Sequence, residues 1–150
     1  PSPRPCEVIE LPVIRCLLDM GVIAIAAGGG GIPVLRDATG LHGVEAVIDK
    51  DLTAALMADQ LEAELLVILT DVPFAFQYFG QPRQQPIGRI TPAVAQELIA
   101  AGHFAPGSMQ PKIQAAAEFA GRPGRRAIIC NPGSLSEALQ RHAGTSIELP

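Results

Sequence analysis

Tryptophan is absent from this 150-residue chain, and aromatic residues make up only 4% of it. It also lacks an excess of positive charge, since 11 Lys and Arg residues against 15 Asp and Glu residues give a formal net charge of −4. Proteins that bind nucleic acids show clustered basic residues, so we expect no nucleic-acid partner. Alanine and branched aliphatic residues dominate instead, which favours stacked helices and parallel strands.

Long apolar segments are lacking too. The longest run, 21–27, opens into four glycines and is far too short to span a bilayer, so we expect no membrane segment. The chain begins with the Pro-rich stretch 1–5 and has neither an initiator methionine nor a signal-peptide pattern there. Such a start is typical of an extended linker or of a cut inside a larger protein.

Cysteine is scarce and unpaired in pattern. Cys6, Cys16 and Cys130 are odd in number and form no CxxC spacing, which predicts free thiols in a cytoplasmic protein. No pair among these cysteines and the three histidines has the spacing of metal ligands, so we predict no protein-bound metal site.

Lysine is the rarest charged residue, with two lysines against nine arginines. A lysine ammonium is a compact charge on a flexible stem that can reach a single phosphate oxygen, whereas guanidinium is a planar fork. Lys50 and Lys112 are therefore candidates for a function that arginine cannot fill. The alternative is a compositional bias that left two lysines by chance.

Apolar periodicity predicts helices and short strands that alternate along one domain, residues 1–150. The predicted helices are 7–20, 51–63, 92–101, 111–119 and 134–141, and the predicted strands are 22–27, 65–69, 126–130 and 145–149. Segments 74–79 and 87–90 are expected to pair as a hairpin, and 36–45 is expected to be a loop or small excursion. This alternation predicts an α/β sandwich with a largely parallel sheet.

Three polar or glycine-rich segments follow predicted strands or precede a predicted helix. They are the four glycines 28–31, the pair Thr70 and Asp71, and the turn that leads into Pro111. Ligands bind at the carboxyl ends of strands in open α/β sheets, and glycines and helix N-termini suit phosphate. These segments predict an anion site without specifying the ligand.

Two common nucleotide-binding motifs are absent. A dinucleotide-binding loop that starts at Gly28 would need a third glycine where Pro33 stands, and one that starts at Gly29 would need it at Val34. No glycine precedes a lysine followed by Ser or Thr, which excludes the Walker A loop. A phosphate site must therefore belong to another class of nucleotide-binding protein.

Asp49, Lys50 and Asp51 place a lysine between two carboxylates at the start of a predicted helix. If one carboxylate also contacts Lys112, it would hold two positive charges at a fixed separation. Phosphoryl transfer depends on such positioning and charge stabilisation. The alternative is a helix-capping acid beside a surface lysine.

The chain resembles the carbamate kinases of the amino-acid kinase superfamily. Four segments carry the resemblance, in family order across the whole chain: 28–34 (GGGGIPV), 43–51 (GVEAVIDKD), 69–72 (LTDV) and 104–112 (FAPGSMQPK). Sister kinases for acetylglutamate, glutamate and UMP share the architecture but not these strings.

This resemblance implies a three-layer α/β/α sandwich with a mainly parallel sheet. It further implies that the chain is the ATP-binding carboxy-terminal half, with the amino-terminal half absent. The family's reaction is ATP + carbamate = ADP + carbamoyl phosphate, with Mg2+ as the metal and arginine fermentation as the usual setting. The full-length protein is expected to be a homodimer, and the isolated chain is expected to be inactive alone.

The resemblance also implies roles for individual residues. Lys50 and Lys112 would contact the transferred phosphoryl group and the nucleotide phosphates, and Asp51 would orient both lysines. The residues expected to bind the nucleotide are Thr70, Asp71, Val72, Tyr78, Gly107, Ser108, Met109 and Pro111. The glycines expected to face the reacting phosphate are Gly28, Gly29, Gly30 and Gly31.

The chain departs from the family pattern in the stretch after Val72. An acid and a tyrosine are expected before Gly80, but Pro73 and Phe76 stand there and Tyr78 is displaced by two positions. The chain also matches only the second half of the family, so most of the carbamate site would lie in sequence that is not present.

Two other functions are compatible with the same residues. One is a nucleotide-binding fragment without catalytic activity, and the other is a sister kinase that acts on acetylglutamate or UMP. His103 lies just before the Lys112 loop and could either contact substrate or be an ordinary partly exposed histidine.

Overall fold

A computed structural model describes residues 1–150 of the chain. The helices are α1 (Leu11–Asp19), α2 (Lys50–Gln60), α3 (Pro92–Ala100), α4 (Met109–Phe119) and α5 (Leu135–Leu139), with a 3-10 turn at Pro132–Ser134. The strands are β1 (Val34–Asp37), β2 (Gly40–Gly43), β3 (Leu65–Leu69), β4 (Ala75–Gln77), β5 (Gln85–Ile87), β6 (Arg89–Ile90), β7 (Arg126–Cys130) and β8 (Thr145–Glu148).

The central sheet has four strands in the order β3-β7-β8-β6. The pairs β3–β7 and β6–β8 are parallel, and β7–β8 is antiparallel. The predicted parallel character is thus confirmed, with one antiparallel pair. Between β7 and β8 the only α-helix is α5, which has five residues.

Helices cover both faces of this sheet, which confirms the three-layer α/β/α sandwich. Alternate strand residues point to opposite faces. On one face Leu66, Ile68 and Ile129 belong to the main core with α2, α3 and α4. On the other face Ile128 packs with Ala138 of α5. The main core is tightly closed around α4, where five residues are buried.

Side chains cap the starts of α2 and α3. The Asp49 carboxylate accepts hydrogen bonds from the backbone N–H groups of Asp51 and Leu52, at 2.8 and 3.1 Å. The Thr91 hydroxyl accepts one from the Val94 N–H at 3.3 Å. These side chains satisfy N–H groups that have no partner inside the helix, so they fix where each helix begins.

The predicted strand 22–27 is wrong for this structure. The segment pairs with no other strand, and the side chains of Ile23 and Ile25 are 92% and 100% exposed. A β-strand needs a neighbour about 4.8 Å away to bond its backbone groups, and no strand of this chain lies beside it. The preceding helix is also shorter than predicted, since α1 covers Leu11–Asp19 rather than 7–20.

The predicted hairpin is confirmed only in part. β4 and β5 pair antiparallel, with Ala75 opposite Ile87. Arg89 and Ile90, however, leave the hairpin and pair in parallel with β8. The hydroxyl of Thr145 explains the division, because it accepts from the Ala75 N–H at 2.9 Å and donates to the Ile87 carbonyl at 2.5 Å. It therefore binds the hairpin to the start of β8, an inner strand of the main sheet.

The expected loop at 36–45 is a short hairpin of β1 and β2. Its turn forms because the Asp37 carboxylate accepts hydrogen bonds from both the N–H and the hydroxyl of Thr39, each at 2.7 Å. These hydrogen bonds hold the pKa of Asp37 below its usual range.

Candidate functional site

The N-termini of α2 and α4 lie at the edge of the sheet where β3 and β7 end. α2 ends at Gln60 shortly before β3 begins at Leu65, and α4 ends at Phe119 shortly before β7 begins at Arg126. Each helix therefore runs back along the strand that follows it and starts beside that strand's carboxyl end. This edge is where open α/β sheets bind ligands.

Lys112 and Asp51 connect the two helix starts. The Lys112 ammonium donates a hydrogen bond to Oδ2 of Asp51 over 2.9 Å, and the two side chains are only 12% and 9% exposed. From the sequence, we expected two positive charges to be held at a fixed separation if a carboxylate beside Lys50 also contacted Lys112. In the structure Asp51 pairs with Lys112, so the ammonium of Lys112 is held beside the start of α2.

Lys50 behaves differently from Lys112. It is the first residue of α2, is exposed, and forms no hydrogen bond or ion pair through its side chain. Asp51 therefore contacts the side chain of Lys112 but not that of Lys50. The expectation that Asp51 orients both lysines toward phosphate stays a prediction.

Gly30 joins the glycine turn to the start of α2. Its carbonyl accepts a hydrogen bond from the Thr53 hydroxyl at 3.0 Å, and Gly30 is buried. A Cβ at Gly30 would lie 2.3 Å from the Ile48 carbonyl oxygen, and its φ is +128°. Only glycine fits this close approach. Gly28, Gly29 and Gly31 are exposed, which leaves their backbone open to a ligand.

Thr70 and Asp71 follow the carboxyl end of β3, as predicted. The Thr70 N–H extends the strand pairing by donating to the Cys130 carbonyl at 2.9 Å. Its hydroxyl donates to Oδ1 of Asp71 at 3.1 Å, while Asp71 is exposed and Val72 is half-buried. These side chains lie at the edge of the sheet where β3 and β7 end, and no hydrogen bond joins them to Asp51 or Lys112.

The start of α4 differs from the starts of α2 and α3. Ser108 occupies the N-cap position but makes no capping hydrogen bond, and Gly107 before it has a φ of +74°. Met109 and Pro111, which are predicted to bind a nucleotide, lie in the first turn of α4 and are half-buried. The Gln110 N–H already donates to the Ala105 carbonyl at 3.2 Å and Pro111 has no N–H, so the Met109 N–H is the donor left for an anion in the first turn. The helix dipole favours negative charge there.

Tyr78 lies at the end of the β4–β5 hairpin and packs on the loop that leads to α4. Its ring meets the ring of His103 edge to face, with centroids 4.6 Å apart, and the Arg83 guanidinium lies 3.7 Å above its centroid. The half-buried His103 therefore has an aromatic partner, in agreement with an ordinary partly exposed histidine. No contact joins Tyr78 to Lys112.

Sequence reasoning missed two buried threonines that position this region. Thr53 is 2% exposed and holds Gly30, and Thr145 is 0% exposed and holds the hairpin. A signal was present for Thr53, since its hydroxyl also donates to the carbonyl of Asp49 four positions earlier in the chain. Thr145 gave no signal, because its two partners are 58 and 70 positions away.

The cysteines are all free, as predicted. Cys130 is buried, and its burial raises the pKa of the thiol above its ordinary value. No group of three His, Cys, Asp or Glu side chains lies together in a form that could hold a metal ion. None of the helices combines the length and the apolar character that crossing a membrane requires.

A sequence profile of the amino acid kinase family matches residues 1–131. The chain belongs to this family. It is 45% identical over 147 residues to the carbamate kinase-like protein YahI of Escherichia coli, an alignment that covers 97% of this chain and 46% of that protein. It is also 45% identical over 147 residues to a carbamate kinase of Thermoplasma volcanium, covering 98% and 48% of the two chains.

Solved structures give the same assignment. A carbamate kinase from Giardia lamblia, bound to AMP-PNP, superposes with a TM-score of 0.95 at 42% identity, covering 99% of this chain and 47% of that chain. The chain therefore spans about half the length of the relatives it matches. The amino acid kinase fold and a kinase relationship follow from these matches, and the α/β architecture described above is that of a family member.

Proposed function

We propose that this chain is the ATP-binding, carboxy-terminal half of a carbamate kinase, which transfers a phosphoryl group reversibly between ATP and carbamate. The observation that carries the proposal is the nearly buried hydrogen bond between Lys112 and Asp51. It holds an ammonium group at the first turn of α4, beside the carboxyl ends of the strands. Similarity to carbamate kinases at up to 45% identity supports the choice of substrate.

The geometry suits transfer of a phosphoryl group. An oxygen of carbamate would attack the terminal phosphorus of ATP as the bond to the ADP oxygen breaks. Negative charge on the phosphoryl oxygens would meet Lys112, which is paired with Asp51, and the exposed Lys50. Catalysis of this reaction consists mainly of positioning and electrostatic stabilisation, to which the two ammonium groups would contribute.

The phosphates of ADP have a natural place at the start of α4. Ser108 leaves the helix N-terminus without a side-chain cap. In the glycine turn, residues 28, 29 and 31 have exposed backbone. Mg2+ that arrives on nucleotide phosphates takes one or two carboxylates and several waters, so it does not need a group of three protein ligands. Asp71, exposed beside Thr70, is the carboxylate that could contribute.

Nucleotide binding without turnover is a second candidate, because the chain spans only about half of its relatives. Both candidate functions require nucleotide binding, which calorimetry with Mg-ADP and the isolated chain measures. Micromolar binding is expected. Absence of binding by a folded chain, monitored by circular dichroism, would contradict both candidates.

Formation of ATP from carbamoyl phosphate and ADP tests the reaction itself. The chain is joined to the other half of a carbamate kinase, and ATP is detected with a coupled enzyme. Formation of ATP is expected. A joined protein that folds, as monitored by circular dichroism, but forms no ATP would contradict the catalytic proposal.

A further inference from the structure

A groove lies at the edge of the central sheet that is opposite the candidate phosphate site. It has a volume of about 350 Å³, and residues of the turn before β7, the turn after α5 and the end of β8 line it. β7 begins at this edge with Arg126, and the antiparallel β8 reaches the same edge with Glu148. Because Lys112 lies where β7 ends, this groove is separate from the site of the proposed phosphoryl transfer.

Glu148 is the only acidic side chain that lines the groove, and two guanidinium groups bind it. Arg141 donates hydrogen bonds to both of its oxygens, the one to Oε2 over 2.9 Å, and Nε of Arg89 lies 2.8 Å from Oε1. The Glu148 side chain is only 9% exposed. Its single negative charge is therefore shared between two arginines and has little left to offer a third.

Arg126 is the third guanidinium and has no carboxylate partner. Its hydrogen bond goes to the Leu139 carbonyl at 3.1 Å, and the residue is half-buried. Burial first, and then the neighbouring charge of Arg141, lower the pKa of Arg126, while the charge of Glu148 acts in the opposite direction. A further negative charge beside Arg126 would stabilise its charged form.

The groove is positively charged although the chain is not. Three arginines meet one glutamate here, which leaves two positive charges in excess, whereas the whole chain has a net charge of −4. Arg125 also lines the groove, but its guanidinium pairs with Asp59 and adds no excess. The local charge is therefore a feature of this place in the fold.

Arg141 reaches the groove from an unusual backbone conformation. It stands two positions after the end of α5 with a φ of +68°, in the left-handed region that glycine usually occupies after a helix. A non-glycine residue in such a conformation is strained, and strained positions are common where a protein binds a ligand.

We propose that this groove binds a phosphate group, either as free phosphate or as part of a small phosphomonoester. Guanidinium forks match phosphate oxygens in pairs, and every cation of this cluster is an arginine. The N–H groups of Arg126 that do not meet Leu139 would donate to the phosphate, together with the half-exposed Arg141. A dianion balances both excess charges, whereas one carboxylate would balance only one.

Nuclear magnetic resonance of the 150-residue chain tests the site residue by residue. The backbone amides are followed during titration with sodium phosphate and, separately, with glycerol 3-phosphate at neutral pH. Saturating shifts are expected at Gly124, Arg126, Arg141 and Glu148, with none from sodium chloride at equal ionic strength. Binding of both compounds assigns the site to phosphomonoesters, and binding of inorganic phosphate alone assigns it to free phosphate. Shifts at 28–31 and 107–112 report the other site separately.

Matched variants make the test specific. Arg126→Gln should weaken binding at least about tenfold, since hydrogen bonds to a charged group are lost while the pair of Arg141 and Glu148 remains. Arg141→Gln should weaken it similarly and carries the test if the first variant does not fold. Arg36→Gln is the control, because it removes the same charge from an exposed position on β1 and should leave binding unchanged.

Three results would overturn the inference. They are shifts at the groove that do not saturate or are absent, equal affinity of the parent and of both groove variants, and binding of sodium acetate as tight as that of phosphate. The last would assign the groove to a carboxylate. None of these measurements uses ATP or carbamoyl phosphate, so their outcome is independent of the proposed function.

Discussion

Lys112 donates a hydrogen bond from Nζ to Oδ2 of Asp51 over 2.9 Å, although 61 positions separate the two residues. A lysine in the first turn of a helix opposes the helix dipole by about 0.3–1 kcal/mol. Its position therefore gives no advantage to α4 itself. The carboxylate of Asp51 offsets the unfavourable location, and the result is an ammonium held where a phosphate can bind.

Replacement of Lys112 tests its proposed role. In the complete two-half protein, Lys112→Ala should lower the rate of ATP formation at least about 100-fold, as loss of one transition-state donor does. Lys112→Arg should fail too, because a guanidinium fork cannot occupy the place of a compact ammonium. Steady-state kinetics measures both. Arg122→Ala removes an exposed ion pair and is the control, and near-normal turnover in either lysine variant would reject the role.

The ion pair should also be visible in stability. Asp51→Asn should lower the free energy of unfolding by about 1.5–3 kcal/mol, since it weakens a hydrogen bond to a charged group and leaves the nearly buried Lys112 without a counter-charge. Urea unfolding of the two single variants and of Asp51→Asn with Lys112→Met forms a double-mutant cycle. A coupling energy near zero would show that the pair does not act as a unit.

The glycine turn can be tested with two neighbouring glycines. Gly30→Ala should lower the free energy of unfolding by about 1–3 kcal/mol, because its Cβ would meet the Ile48 carbonyl oxygen at 2.3 Å and its φ is +128°. Gly29→Ala is the matched control, since a Cβ there meets nothing within 4 Å. Thermal unfolding measures both, and equal effects would show that the close approach is not a constraint.

Thr145 should stabilise the β4–β5 hairpin through its hydroxyl. Thr145→Val keeps the shape but leaves the Ala75 N–H and the Ile87 carbonyl without partners, so it should lower the free energy of unfolding by about 1–3 kcal/mol. Thr145→Ser keeps the hydroxyl and should lose less. If valine is tolerated as well as serine in chemical denaturation, the hydrogen bonds are not what holds the hairpin.

Glu148 should make stability depend on pH. The Arg141 guanidinium, which donates two hydrogen bonds to it, holds the pKa of Glu148 below its ordinary value of 4.5. A lowered folded pKa contributes stability above pH 4.5, and this contribution is lost as the pH falls through the folded pKa. Glu148→Gln should therefore show a smaller loss of stability below pH 4.5 than the parent chain.

Unfolding at several pH values between 3 and 7 measures this difference. Arg89 lies 2.8 Å from Glu148 and is largely exposed, so Arg89→Ala should change the pH dependence less than Arg141→Ala does. Parallel stability curves for the parent and Glu148→Gln would contradict the assignment.

Much of the fold followed from local pattern. The strand at 65–69 and the strand at 126–130 were predicted with their observed bounds, because short apolar runs between breakers favour buried strands. The start of α3 followed from Thr91 and Pro92, which cap and open the helix. These features depend on residues within a few positions of one another.

The segment 22–27 shows where pattern reasoning fails. Its composition is that of a buried strand, but strand formation needs a neighbouring chain, and none lies beside it in this structure. The same limit applies to β6, which the sequence placed in a hairpin and the structure places beside β8. Pairing is decided by residues that are distant in sequence.

The sequence by itself determined the α/β class, the family strings and the two lysines that stand apart from nine arginines. Only the tertiary structure decided that Asp51 holds Lys112 while Lys50 remains exposed. The physical reason is that residue type fixes what a side chain can donate or accept. Which groups meet depends on packing that brings the starts of α2 and α4 to one edge of the sheet, where Asp51 and Lys112 meet although they are 61 positions apart.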